Sequence, residues 1–342
     1  MKNVQLTSLI QFYTAVLVSA GLPEDRAEKI AGTQCSIQAF GIATHGLRPL
    51  HHLIKAVEDS GGLDAAPVCL RSTGAVEVYD CTGCLSIENI RFGVRTAGDL
   101  AAEHAIGFVS LHNTGWIGAL GYHLAELAAE GFLVMGWVHS SEFHGTVPFG
   151  GMDARFSTNP MGYAFPTSSD PVVVDFSTSS ASNGKSYTWI AKGEKAPEEI
   201  YLDSGGRPTA DPSVLKHGGA MLPTGGLHFG YKGTALSLLI EAMTAVSGAV
   251  PVNREKEGGH NAHVFALRMD PESTGQYQSM IDGLFEWILS SRPFPGSSGP
   301  RIPGKRGWEA LAAATKHGLD IDDSLWGAVT ALSSRYGIAE PV

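Results

Sequence analysis

The stretch from Ile106 to His139 constrains this chain more than any other. Ile106 to His112 is short and apolar, as a buried strand requires, and Asn113 to Gly118 is a turn. Ala119 to Glu130 sets Leu120, His123, Leu124 and Leu127 on one helical face, Gly131 stops it, and Phe132 to His139 is a second strand. The period switches from strand to helix and back, so the segment reads as a β-turn-α-β unit and the chain as an α/β protein.

The flanking patterns extend this reading. Leu9, Phe12, Tyr13, Val16 and Leu17 recur at helical spacing, Gly21-Leu22-Pro23 breaks that helix, and a second one follows with Glu24 and Asp25 in its first turn. The pattern predicts a strand over 74–81, a helix over 86–104, strands over 161–166 and 172–176, and ordered loops over 193–228. A helix over 232–250 is apolar nearly all round, which predicts burial. A strand pattern returns over 253–269, and helices are expected over 274–291, 306–316 and 321–336. At 342 residues the chain suffices for two or three lobes with a core. Its 43% apolar and 17% charged residues are a globular composition.

Net charge of −10 without a basic cluster argues against nucleic acid and anionic membranes as partners. No apolar run is long enough to span a bilayer, and the N-terminus lacks a signal-peptide pattern. Cys81 and Cys84, separated by Thr82-Gly83, read as a turn with reduced thiols, so a cytoplasmic location is expected.

Several residues carry chemistry. In Thr44-His45-Gly46-Leu47-Arg48, an imidazole that moves protons near neutral pH precedes by three residues a guanidinium that grips carboxylates. The pair suits a small 2-oxo or 2-hydroxy acid, and His51-His52 can line the same pocket. Gly115-Trp116-Ile117-Gly118-Ala119-Leu120-Gly121 sits between strand and helix, where free amides suit a phosphate, but it is not the dinucleotide fingerprint. Asp175 ends an apolar strand; it can orient His45 or cap a neighbouring turn. Lys185 and Lys232 stand in glycine settings that suit phosphate. His139, His144, His260 and His263 raise a metal-dependent hydrolase or lyase as a competing reading, although no HExxH motif completes it.

Seven segments, in order along the chain, resemble one family. Thr44-His45-Gly46-Leu47-Arg48 is similar to its SHGxxR motif and Ser157-Thr158-Asn159-Pro160 to its GTNP. Asp175-Phe176-Ser177-Thr178-Ser179 resembles its DxATS, and Asp203 to Pro212 its LDxxGxPTxDP. Leu222 to Gly226, Gly230-Tyr231-Lys232-Gly233 and Ile302-Pro303-Gly304 match its later segments. This is the malate/L-lactate/ureidoglycolate dehydrogenase family, with its sulfolactate dehydrogenase-like, non-Rossmann mixed α/β fold.

The resemblance implies an NAD- or NADP-dependent oxidoreductase that moves a hydride between nicotinamide and C2 of a 2-oxo/2-hydroxy acid. A reductase of cyclic 2-imino acids and a non-catalytic nucleotide-binding relative are alternatives. It implies a nucleotide-binding domain (73–252) inserted into a helical, substrate-binding and dimerising domain (1–72 and 253–342), and a homodimer with the site near the interface. By the family pattern His45 donates and accepts the proton, Asp175 assists it, Thr44 keeps the motif's hydroxyl, and Arg48 holds the substrate carboxylate. The cofactor would touch Ile117, Gly118, Ala119, Leu120, Gly121, Ser157, Thr158, Asn159, Asp175, Phe176, Ser177, Thr178, Lys185, Tyr231, Lys232, Pro303, Gly304 and Lys305. No metal is implied. Trp116 stands where many members have histidine, His139-Ser140 replaces a common Thr-Asn, and Lys305 replaces an acid. Thr44 in place of the usual serine, Trp116 and His139-Ser140 would therefore reshape the substrate pocket, which His52 can also line.

Overall fold

The computed structural model describes residues 1–60, 64–254, 259–270 and 272–342. The chain opens with strand β1 (Lys2–Val4) and helices α1 (Leu6–Ala20), α2 (Glu24–Ala39) and α3 (Leu47–Ser60). A hairpin of β2 (Val68–Thr73) and β3 (Val76–Asp80) leads to α4 (Ser86–His104) and β4 (Ile106–His112). Next come α5 (Leu120–Ala128), β5 (Phe132–Ser140), β6 (Pro160–Phe165), β7 (Val172–Ser177) and α6 (Asn183–Lys192). The stretch expected as loops holds three two-residue strands, β8 (Tyr201–Leu202), β9 (Pro208–Thr209) and β10 (Ala220–Met221), in one small sheet. Helices α7 (Gly226–Phe229) and α8 (Tyr231–Ser247), strand β11 (His260–Arg268), α9 (Thr274–Leu289), α10 (Lys305–His317), β12 (Leu319–Ile321) and α11 (Asp323–Tyr336) complete the chain.

The main sheet runs β2-β3-β4-β11-β5-β6-β7. Both strands of the unit read from sequence are present, but they do not touch. β11 lies between them, antiparallel to each, with Val264 opposite Val109 on one side and Gly136 on the other. A dinucleotide-binding fold of the Rossmann type instead sets parallel strands side by side around its crossover. The middle strand thus comes from beyond residue 252, from the segment the sequence reading assigned to the other unit.

Alternation along the strands gives the sheet two covered faces. Val109, Leu111, Val134, Ala262 and Val264 meet Ile90, Val94 and Ala97 of α4 and Leu120, Leu124 and Leu127 of α5. The other face carries Trp137 and Met161, which pack with Ile240 of α8. A separate core joins both chain ends: Leu9, Leu17, Leu50 and Ile54 pack with Ile321, Leu325, Val329 and Leu332, and β1 pairs with β12.

Helix α8 corrects the expectation of all-round burial. Its buried residues are Gly233, Ser237, Ile240, Glu241, Thr244 and Ser247, whereas Leu238, Leu239 and Val246 are exposed. Small and hydrogen-bonded side chains let the helix approach the sheet closely, and its greasier side faces outward. On α9 no residue is buried, and Met280 and Trp287 are 68% and 75% exposed.

Candidate active site

The pentad is shaped by α2. Beyond Ala39 the chain turns so that the amides of His45 and Gly46 both donate to Ile42 O, at 2.9 and 3.0 Å. Position 46 must be glycine, because a Cβ there would lie 2.6 Å from Gln38 Oε1 and 2.8 Å from Gln38 Cα. Buried Gln34, with its amide turned to satisfy both groups, donates to the carbonyls of His45 and Gly46 at 2.8 Å. His45 Nδ1 is 2.8 Å from Thr44 Oγ1, and its ring lies nearly parallel to Trp116, at 17° and 5.9 Å between centroids. Burial pulls the His45 pKa below the usual imidazole value, so the ring is neutral at pH 7.

Thr44 and His45 form one wall of a cavity of about 470 Å³. Trp116, Ile117, Gly118 and Leu120 enter it from the turn before α5, and His139 and Ser140 from the end of β5. Ser157 and Thr158 line it from the segment before β6, and Asp175, Phe176 and Ser177 from β7, so segments far apart in sequence converge on it. The cavity also takes Ile42, Val138, Phe143, Asn183, Gly184 and His260, which the sequence reading did not place there. The Asn183-Gly184 pair beside Lys185 was the available signal for two of them.

Asp175 opens onto the cavity, and its Oδ2 accepts from Gly121 N at 2.8 Å. It therefore caps the second residue of α5, the amide position expected to meet a phosphate. Gly121 makes this possible, since a Cβ there would lie 2.7 Å from Asp175 Cβ. Desolvation raises the Asp175 pKa, and the Gly121 hydrogen bond opposes it only in part. Ala119 is buried beside this cap.

Behind the wall runs a directional chain of polar groups. Asn113 N donates to Asn261 Oδ1 at 3.3 Å, which turns Asn261 Nδ2 to His139 Nδ1 at 3.0 Å. That contact leaves the proton on Nε2, 3.3 Å from Glu241 Oε2. Glu241 also accepts from Asn159 Nδ2 at 2.8 Å and Val252 N at 2.9 Å. Burial alone would raise its pKa, but His139, Val252 and Asn159 together hold it below the usual glutamate value. Asn159 is thus fully buried one layer behind the cavity, and Thr178 is likewise buried, 2.8 Å from Ser237 Oγ.

The remaining candidates lie outside the cavity lining. Arg48 Nη2 pairs with Asp322 Oδ2 at 2.5 Å, at the cap of α11, and both side chains are half exposed. His52 is exposed on α3. Lys185 lies over the Trp189 ring, and Lys232 over Phe229, next to exposed Tyr231. The Pro303-Gly304-Lys305 turn abuts β7, where a Cβ on Gly304 would lie 2.8 Å from Val173 N. The histidines of the metal reading have separate partners: His144 Nε2 lies 3.2 Å from Val252 O, and His263 Nε2 lies 3.1 Å from Thr244 Oγ1. Among the described residues no three His, Cys, Asp or Glu side chains converge on a metal position, and no helix is long and apolar enough to cross a membrane.

The sheet with its inserted antiparallel strand and the histidine-walled cavity define a mixed α/β class of protein, and solved structures share this fold. The malate dehydrogenase of Entamoeba histolytica superposes with a TM-score of 0.91 at 22% identity, covering 100% of this chain and 99% of that one. The sulfolactate dehydrogenase of Methanocaldococcus jannaschii gives 0.80 at 24% identity, over 98% of each. An L-lactate dehydrogenase of Cupriavidus necator is 27% identical over 99% of both chains. The family model for malate/L-lactate dehydrogenase matches residues 4–330, and the chain belongs to that family. It is an oxidoreductase acting on CH–OH groups.

Proposed function

We propose that the protein moves a hydride between C2 of a small 2-oxo/2-hydroxy acid and the nicotinamide of NAD or NADP, with His45 as proton donor and acceptor. The observation that carries the reading is the placement of a neutral His45 in the cavity wall, its Nδ1 engaged by Thr44 so that Nε2 is left for substrate. When a 2-hydroxy acid is oxidised, the hydroxyl proton passes to His45 as the hydride leaves C2; reduction returns it. The bound nicotinamide supplies or accepts that hydride. The wall fits its carboxamide: Asn183 Oδ1 is buried without a hydrogen-bond partner at the cavity edge, an acceptor that an amide N–H₂ satisfies.

Arg48 is the substrate-carboxylate partner in this reading. Its pair with Asp322 is half exposed and therefore weak enough to exchange for a substrate carboxylate. His45→Gln should lower kcat by about 10²–10⁴ while cofactor binding persists. Near-normal turnover by that variant would remove His45 from the reaction.

The exposed apolar residues of α8 and α9 support a homodimer. Leu238, Leu239, Val246, Met280 and Trp287 form more exposed greasy surface than a monomer needs. Trp287→Glu should shift the sedimentation coefficient towards the monomer; an unchanged dimer would place the interface elsewhere.

A further inference from the structure

We infer that the substrate is a monocarboxylate with an uncharged tail, and that Trp116, Val138 and Phe143 select against a second carboxylate. The inference rests on the 2-oxo-acid reading above and narrows it.

Among the described residues lining the cavity there is no lysine and no arginine, and Asp175 is the one carboxylate. Three imidazoles remain, and each is committed or poorly placed to hold an anion. His45 carries the reacting proton. His139 is fully buried, with Nδ1 held by Asn261 and Nε2 turned to Glu241. His260 Nε2 has Ser140 Oγ at 3.4 Å and the exposed carboxylate of Glu142 at 3.6 Å, so an entering anion would meet like charge beside that ring. If Arg48 takes the C1 carboxylate, nothing in this lining takes another.

The wall that would receive a tail is apolar and held in place. Trp116 packs against the core that joins the chain ends and lies parallel to His45, so it borders the reacting carbon. The Phe143 ring lies over Gly145, where a Cβ would sit 2.4 Å from ring Cε1. Val138 closes the side from β5. A charged tail here loses its hydration without gaining a partner, whereas a hydrocarbon tail is transferred from water to matching surface.

The test uses two acids of equal chain length, 2-oxopentanoate and 2-oxopentanedioate, with the full-length protein and each cofactor near neutral pH. We expect kcat/KM for the monocarboxylate to exceed that for the dicarboxylate by about 10²-fold or more. Equal or better use of the dicarboxylate overturns the inference. Phe143→Arg should narrow the ratio by about 10-fold, since it adds the missing cation. An unchanged ratio would remove Phe143 from the selecting wall. Protection against thermal unfolding by unreactive pentanoate and pentanedioate separates this inference from the reading beneath it. If neither oxo acid is turned over but pentanoate still protects more strongly, the 2-oxo-acid reading fails and the pocket's selectivity stands. If pentanedioate protects as well or better, the selectivity fails whatever the turnover.

Discussion

Asp175 and Glu241 are carboxylates set against opposite faces of one sheet, and their pKa values move in opposite directions. Desolvation raises the pKa of both. Asp175 receives one donor, Gly121 N, and stays raised. Glu241 receives Asn159 Nδ2 and Val252 N and has His139 at 3.3 Å, and it falls below the ordinary glutamate range. The added donors around Glu241 outweigh its desolvation, whereas the single donor to Asp175 does not. The difference also sorts their roles: Asp175 opens onto the cavity, whereas Glu241 is 9% exposed behind its wall.

The sharpest break in this comparison would come from Asp175→Asn. Asparagine still accepts from Gly121 N and caps a helix about as well, so the melting temperature should hold. Activity should fall by about 10²-fold, because an amide beside the reacting atoms can neither ionise nor exchange a proton. Full activity with a lowered melting temperature would reverse the roles assigned to the two acids.

Glu241→Gln should act the other way. A glutamine amide cannot accept from Asn159 and Val252 together with His139, and the unmet donors cost about 1–3 kcal/mol. Turnover per folded molecule should change little. The loss depends on pH in a defined sense. A depressed folded-state pKa gives stability that is present above the unfolded glutamate value and lost as pH falls through the folded one. The melting gap between wild type and Glu241→Gln should therefore close in acid. Asp175 has the opposite sign: its raised folded-state pKa makes ionisation cost stability as pH rises through the interval between its unfolded and folded values. A gap that widened in acid would show Glu241 to be protonated in the folded state.

The smallest effect should come from Asn159→Ala, which removes one of the donors to Glu241. A loss of about 1 kcal/mol, read by chemical denaturation, is expected. If the same change abolished cofactor binding with stability intact, Asn159 would be a cofactor contact through its unpaired Oδ1 rather than a brace for Glu241.

The local part of this architecture was legible in the residues. Ile106–His112 reads as a strand with the bounds it has, because a compact apolar run between a helix end and a turn admits little else. His45 and Asp175, singled out in the sequence by their chemistry, both line one cavity. What stayed hidden depends on partners distant in sequence. β2 is exposed along its length at the sheet edge, so no alternation marks it. The burial of α8 was misjudged because apolar content does not say which side meets the sheet; Glu241, a lone charge in that greasy run, was the clue to a buried network. Arg48 reads equally well as a carboxylate clamp or as a partner for a helix-capping acid, and Asp322 is nowhere near it in sequence.

The position of β11 also bears on how the chain comes to be folded. On the ribosome β4 and β5 emerge early, but the strand that bridges them begins only at His260. Until it arrives, each exposes a row of unpaired amides and carbonyls, the kind of edge that recruits other chains. Nucleation must close a long loop before the sheet gains its central ladder, which slows folding and lengthens exposure to aggregation. A nascent chain stalled before His260 is therefore the species we expect to need a chaperone most.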